Sequence, residues 1–239
     1  MKKPQLLLIP GLAANHRMWE YTAHELSDSF HCITASLPAM NNLGDIAGHI
    51  LKRIQGNFSV AGWSMGGYLA FELMRQVPQR IDRLALLSTS AHPEARDVAL
   101  RRRIMIREAE SKGYLNMIRQ VTPRFLHPET VESGLVGQLM IKQAAEVGLD
   151  AFCVHQKAMM TRPDNRALAS TIQKPVIVMV GSGDIVTPVS GHEELAAMIP
   201  EAELIKVPDA GHMITLENPS VTTNVLRRWL TDKEAAIAA

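Results

Sequence analysis

Short apolar runs alternating with helical patterns predict an α/β protein. The expected architecture is a mostly parallel central sheet with helices on both faces, and a helical cap inserted before the last two strands. The strand candidates 5–9, 32–35, 58–61 and 83–87 are short and apolar on both faces, as strands buried inside a parallel sheet must be. Helix-like spacing fills the gaps between them, and strands alternating with helices build parallel sheets. Residues 91–174 break this rhythm: they hold no convincing β-branched run and turn helical and charged.

Taken in order, the helical segments of the first half are 19–27, 43–54 and 68–77. In the third, Leu69, Leu73, Met74 and Val77 share a face and Pro78 ends the segment. Within the insertion, 96–111, 115–121, 131–147 and 151–160 read as helices separated by Pro and Gly. Two more strands are expected at 176–180 and 202–207, and a last helix near 221–230. The chain therefore divides into a core of residues 1–90 and 175–239 and a helical cap of residues 91–174. A block inserted above the end of a sheet is well placed to cover a site there.

Composition agrees with one domain carrying an insertion. The chain has 239 residues, 46% apolar and 21% charged, with a formal net charge of +1. That excludes wholesale disorder. Nucleic acid and anionic membranes select basic surfaces, so neither is the expected partner. Two cysteines, Cys32 and Cys153, cannot build a disulfide framework or a four-thiolate zinc site. Lys2-Lys3 followed by Leu6-Leu7-Leu8-Ile9 has a faint look of a secretory signal, but Pro10-Gly11 stops the apolar run after four residues. A first buried strand is the better reading. No apolar run approaches the ~20 residues that span a bilayer. A cytoplasmic protein, monomeric or homodimeric, is expected, with a frayed alanine-rich end at 235–239.

The decisive motif is Gly62-Trp63-Ser64-Met65-Gly66-Gly67. A predicted strand runs into it and a predicted helix runs out. A reversal this tight strains its central residue, while flanking glycines let neighbouring backbones pass close by. Ser64 is thereby presented at the carboxyl end of the sheet, beside a helix N-terminus whose N–H groups can receive negative charge. No lysine of a phosphate-binding loop follows.

A serine hydroxyl needs a base, and the base an orienting carboxylate. Asp184 lies in Gly181-Ser182-Gly183-Asp184, just beyond the fifth strand, and His212 in Gly211-His212-Met213, just beyond the sixth. Both loops leave the edge that presents Ser64. Eight other histidines lack the position after a strand and a glycine, and Asp209 reads as a loop residue. Donors for a tetrahedral oxyanion are expected from the backbone N–H of Met65 and, in the loop after the first strand, of Leu12. No H-E-x-x-H, cysteine pair or calcium loop is present, and no G-x-G-x-x-G follows the first strand. Neither a metal nor a cofactor is expected.

These motifs resemble the α/β-hydrolase fold family over nearly the whole chain, and are similar to small bacterial carboxylesterases, enol-lactone hydrolases and carbon–carbon hydrolases. Two departures stand out. Pro10-Gly11 stands where the family often has His-Gly, and Leu37-Pro38-Ala39-Met40-Asn41-Asn42 lacks a common Gly-x-Gly-x-Ser. The resemblance implies a serine esterase working through a Ser64-His212-Asp184 catalytic triad, an oxyanion hole and an acyl-enzyme on small-molecule esters. Trp63 and Met213, with Leu12 and Met65, would make an apolar pocket suited to small acyl groups. Met105, Met117, Met140, Met159 and Met160 could roof it, though core packing is the plainer expectation for each. A lactonase or C–C hydrolase of the same fold, or a ligand-sensing protein, remains an alternative. A solvated helix face is expected of Arg101-Arg102-Arg103, contact with an anionic substrate being the other reading.

Overall fold

The computed structural model describes residues 3–232; the stretch 235–239, expected to fray, lies outside the described residues. Six strands, β1 (Gln5–Ile9), β2 (His31–Thr34), β3 (Phe58–Trp63), β4 (Ile81–Leu87), β5 (Val176–Gly181) and β6 (Glu203–Val207), form one sheet in the order β2-β1-β3-β4-β5-β6. Every neighbouring pair is parallel. The helices of the first sheet-forming segment are α1 (Glu20–Leu26), α2 (Leu43–Leu51) and α3 (Met65–Gln76). Between β4 and β5 lie α4 (Arg96–Lys112), α5 (Tyr114–Val121), α6 (Pro128–Ser133), α7 (Leu135–Val147), α8 (Leu149–Met160) and α9 (Arg166–Ala169). The chain ends through α10 (Val189–Met198), α11 (Ile214–Glu217) and α12 (Pro219–Thr231).

Alternation along each strand divides the core between the two sheet faces. Leu7 and Ile9, Val60, Leu84 and Leu86, and Val178 point one way, against Ile46 of α2, Leu69 of α3 and Leu195 of α10. Leu6 and Leu8, Ala61, Ala85 and Leu87, and Met179 point the other way, against Leu26 of α1 and Leu226 and Trp229 of α12. Residues 91–174 carry a smaller cluster of their own around Ile106, Ile118 and Phe152. Among the described residues no helix is long and apolar enough to cross a membrane.

Most element boundaries depart from the sequence reading by a few residues, and three departures have clear causes. β3 continues through Trp63 because Ser64 still donates its N–H to Leu87 O, 2.8 Å away. α3 starts at Met65 rather than residue 68, so strand and helix meet at Ser64 with nothing between them. The single helix expected over 131–147 is two, broken at Gly134, whose φ of 70° is left-handed.

This topology fixes where a site can form. Chain order reverses between β1 and β3, the two strands flanking the switch point of the sheet, and ligands of open α/β sheets bind beyond the carboxyl ends there. The loop carrying Leu12 leaves β1, and Ser64 leaves β3, at that crevice.

Candidate active site

Ser64 caps α3 with φ 55° and ψ −115°, a conformation that costs a non-glycine residue on the order of 1–3 kcal/mol. The surroundings enforce it. A Cβ on Gly66 would stand 2.3 Å from Ile9 O, and one on Gly62 2.3 Å from Gly66 O. Only glycines let the turn press this closely against β1 and itself. Thr89 Oγ1 donates to Ser64 O at 2.9 Å, and the Thr89 N–H donates to buried His192 Nε2 at 2.9 Å.

The two downstream loops meet Ser64 as the parallel sheet requires. His212 Nε2 lies 3.1 Å from Ser64 Oγ, and His212 Nδ1 lies 2.8 Å from Asp184 Oδ2. Nδ1–H donates to the carboxylate, which leaves Nε2 free to accept the serine proton. The loops fit together because a Cβ on Gly181 would lie 2.0 Å from Gly211 O. Asp184 is buried, with Oδ1 accepting from the Val186 and Thr187 N–H groups and Oδ2 also from Thr187 Oγ1. Burial alone would raise the carboxyl; its electrostatic attraction to and hydrogen bond with the His212 ring, with the hydrogen bonds from Thr187, outweigh it and hold Asp184 below the usual carboxylate range.

The remaining expected residues surround this chain of hydrogen bonds. Ser64, His212, Leu12, Trp63 and Met213 all line one cavity of about 710 Å³. Met65 is fully buried beneath it as the first residue of α3, where a backbone N–H has no partner within the helix. Of the five methionines in the insertion, Met105, Met140 and Met159 line the cavity, while Met117 and Met160 pack into the insertion's own cluster. Asp209 is exposed in a left-handed turn. Of the described histidines only His212 bonds Ser64: His16 and His92 pair with Glu20 and Glu194, and His155 donates to Pro38 O. Arg101 and Arg103 are exposed, but Arg102 turns inward, side chain 17% exposed, against Glu94. The solvated-face expectation fails there, because a helix lying on a cavity must send some of its positions inside. Cys153 is buried in the insertion cluster. Among the described residues no group of three or more His, Cys, Asp or Glu is placed to share a metal ion.

Several supporting residues carried no sequence motif. Glu217 Oε1 accepts from the N–H groups of Gly211 and Met213, on either side of His212, at 2.9 and 3.0 Å, while Oε2 accepts from the His127 N–H. Trp63, expected only to line the pocket, also donates Nε1–H to His212 O at 2.8 Å. The Phe125 ring meets the imidazole edge-on at 5.6 Å. His192, one of the eight histidines without the position after a strand and a glycine, takes the Thr89 N–H on Nε2 and gives Nδ1–H to Pro188 O. Burial lowers its pKa, which suits a neutral ring that must accept. Only a carboxylate one turn beyond His212, at Glu217, could have been noticed beforehand.

The family model described as "Alpha/beta hydrolase family" matches residues 6–224, and the chain belongs to that family. Its relatives include ester hydrolases. It is 26% identical to the pimeloyl-[acyl-carrier protein] methyl ester esterase of Nitrosomonas europaea, covering 90% of this chain and 91% of that one. An esterase from Thermogutta terrifontis superimposes with a TM-score of 0.89 at 25% identity, over 96% of this chain and 90% of the other. The enol-lactonase of Burkholderia xenovorans shares the fold, with a TM-score of 0.85 at 22% identity over 97% and 93%.

Proposed function

We propose that the protein is a serine hydrolase cleaving carboxylic esters of small, largely apolar acyl groups through a Ser64-His212-Asp184 triad. The observation that carries this reading is the continuous hydrogen-bonded chain from Ser64 Oγ through His212 to Asp184, set at the floor of the cavity. Ser64 Oγ attacks the ester carbonyl carbon while His212 Nε2 takes the hydroxyl proton. The carbonyl oxygen becomes an oxyanion, received by the N–H of Met65 at the start of α3 and by that of Leu12 in the loop after β1. Collapse breaks the bond to the alcohol oxygen, which leaves with the proton held on Nε2. Water then repeats the sequence on the acyl-enzyme, releasing the acid and restoring Ser64. Asp184 keeps Nδ1 protonated and balances the imidazolium. Residues 91–174 act as the cap, closing the cavity with Met105, Met140 and Phe152 and keeping bulk water from the acyl-enzyme.

The test is hydrolysis of a chain-length series of p-nitrophenyl esters by the wild type and Ser64→Ala. A short-chain preference is expected, with kcat lower in the variant by about 10⁴-fold or more. Equal rates in the two proteins would remove Ser64 from the chemistry. Ser64-dependent activity that is feeble on every ester, but strong on lactones, would transfer the same mechanism to ring opening.

A further inference from the structure

The cavity walls carry charge of one sign only. Arg101, Arg102, Arg124 and Arg162 line it, and among the described residues no Asp or Glu does. Two of these cations are built in rather than draped on the surface. Arg102 gives Nε–H to Glu94 Oε1 at 2.7 Å and Nη1–H to Gln156 Oε1 at 2.8 Å. Arg162, its side chain 7% exposed, pairs with the other oxygen of Glu94, gives Nε–H to His92 O, and lies over the Tyr68 ring at 4.5 Å. One buried carboxylate thus serves two guanidinium groups, leaving the cluster one positive charge in excess.

A second observation points the same way. Gln156 is fully buried with its carbonyl committed to Arg102, and its Nε2 amide has no acceptor. Gln143, 1% exposed, likewise commits Oε1 to the Asn15 N–H and leaves Nε2 without a partner. Both residues line the cavity. An unpaired buried amide donor costs on the order of 1–3 kcal/mol, and an uncompensated buried cation costs more. A bound anion would satisfy both at once, and the planar guanidinium fork matches a carboxylate.

We propose that Arg102, Arg162 and the Gln156 amide form a carboxylate subsite in the cavity, so that the preferred substrates are esters whose acyl chain ends in a second, free carboxylate. The inference rests on Ser64 as the nucleophile and adds the far end of the substrate: apolar residues hold the carbons next to the scissile carbonyl, and the arginines hold the terminus. A network that merely tied α4 to α8 would have no need of excess charge or of buried amide donors left without acceptors.

The experiment compares monomethyl esters of C4 to C7 dicarboxylic acids with their half-amide methyl esters of equal length. With wild-type protein, kcat/KM for the half-acid at the best length is expected to exceed that of its half-amide by about 10- to 100-fold, the worth of hydrogen bonds to a charged group. Gln156→Glu, and separately Arg102→Met, should bring that ratio to one or below. Equal rates on half-acid and half-amide, both Ser64-dependent, would overturn the subsite and leave the nucleophile standing. Should wild type cleave neither, the hydrolytic reading fails instead. Titration of Ser64→Ala with both compounds, followed by tryptophan fluorescence, then decides the subsite: tighter binding of the half-acid upholds it, and equal binding sinks it.

Discussion

Ser64, His212 and Asp184 are each held by hydrogen bonds from neighbouring residues that do not themselves react. Glu217 clamps the backbone on both sides of His212, and Trp63 holds its carbonyl. Three N–H groups converge on the two Glu217 oxygens, so a carboxylate is the natural acceptor there. Glu217→Gln puts an NH₂ against one of those donors and removes the charge that strengthens the rest. If Glu217 positions the base, kcat on p-nitrophenyl esters falls about 10-fold with KM little changed, a loss of roughly 1.4 kcal/mol of transition-state stabilisation. An unchanged kcat in a folded Glu217→Gln protein would reduce Glu217 to a structural tie.

At the scale of elements, two glycines with different jobs make a matched test. Gly66 is a close-approach position: an added methyl would drive Ile9 O away and pull β1 and α3 apart. Gly66→Ala should cost at least about 2–3 kcal/mol in urea unfolding, in the range of overpacked interiors, together with most of the esterase activity. Gly134 separates α6 from α7 at a φ of 70°, with nothing near where a Cβ would stand. Gly134→Ala should therefore lose only about 1–2 kcal/mol, the left-handed penalty of an L-residue, and keep its activity. A Gly66→Ala protein as stable and active as Gly134→Ala would show that the elbow tolerates what its geometry forbids.

Across the whole molecule, buried histidines link acidity to the seating of the insertion. His155 of α8 reaches across to Pro38 O, beyond β2, and His192 of α10 supports the elbow through Thr89. Burial lowers both pKa values below the ordinary 6.5. The unfolded chain then binds protons before the folded one does, so stability is full above about pH 6.5 and declines as pH falls through that value toward the folded pKa values. Asp184, depressed below its ordinary 3.8, adds a second loss only under more acidic conditions, below about pH 4. On the other flank, Arg17 and Asn15 hold Glu146 of α7, and those hydrogen bonds bring its carboxyl down to about 2, so that tie persists through the same window. Tm should drop between pH 7 and 5, and drop less in His155→Gln. A Tm flat over that interval would contradict buried neutral histidines.

What the sequence determined by itself is the sheet, its parallel sense and the three residues that converge on one another. Strands apolar on both faces belong to a sheet covered by helices, although β2 takes its half-buried edge, and in a parallel sheet every loop after a strand returns to one end, so Ser64, Asp184 and His212 had to meet. The Gly62 and Gly66 spacing already described a turn too tight for side chains. What tertiary structure alone decided is how those residues are supported and what else faces them. Thr187 and His192 matter through hydrogen bonds to carboxylate and backbone groups that no spacing foretells. The inward turn of Arg102, and its meeting with Arg162 and Gln156 from α8 and the loop after it, depends on how α4 and α8 pack. Helix periodicity marks an amphipathic face, but only contact between helices determines which of its charges are taken out of water.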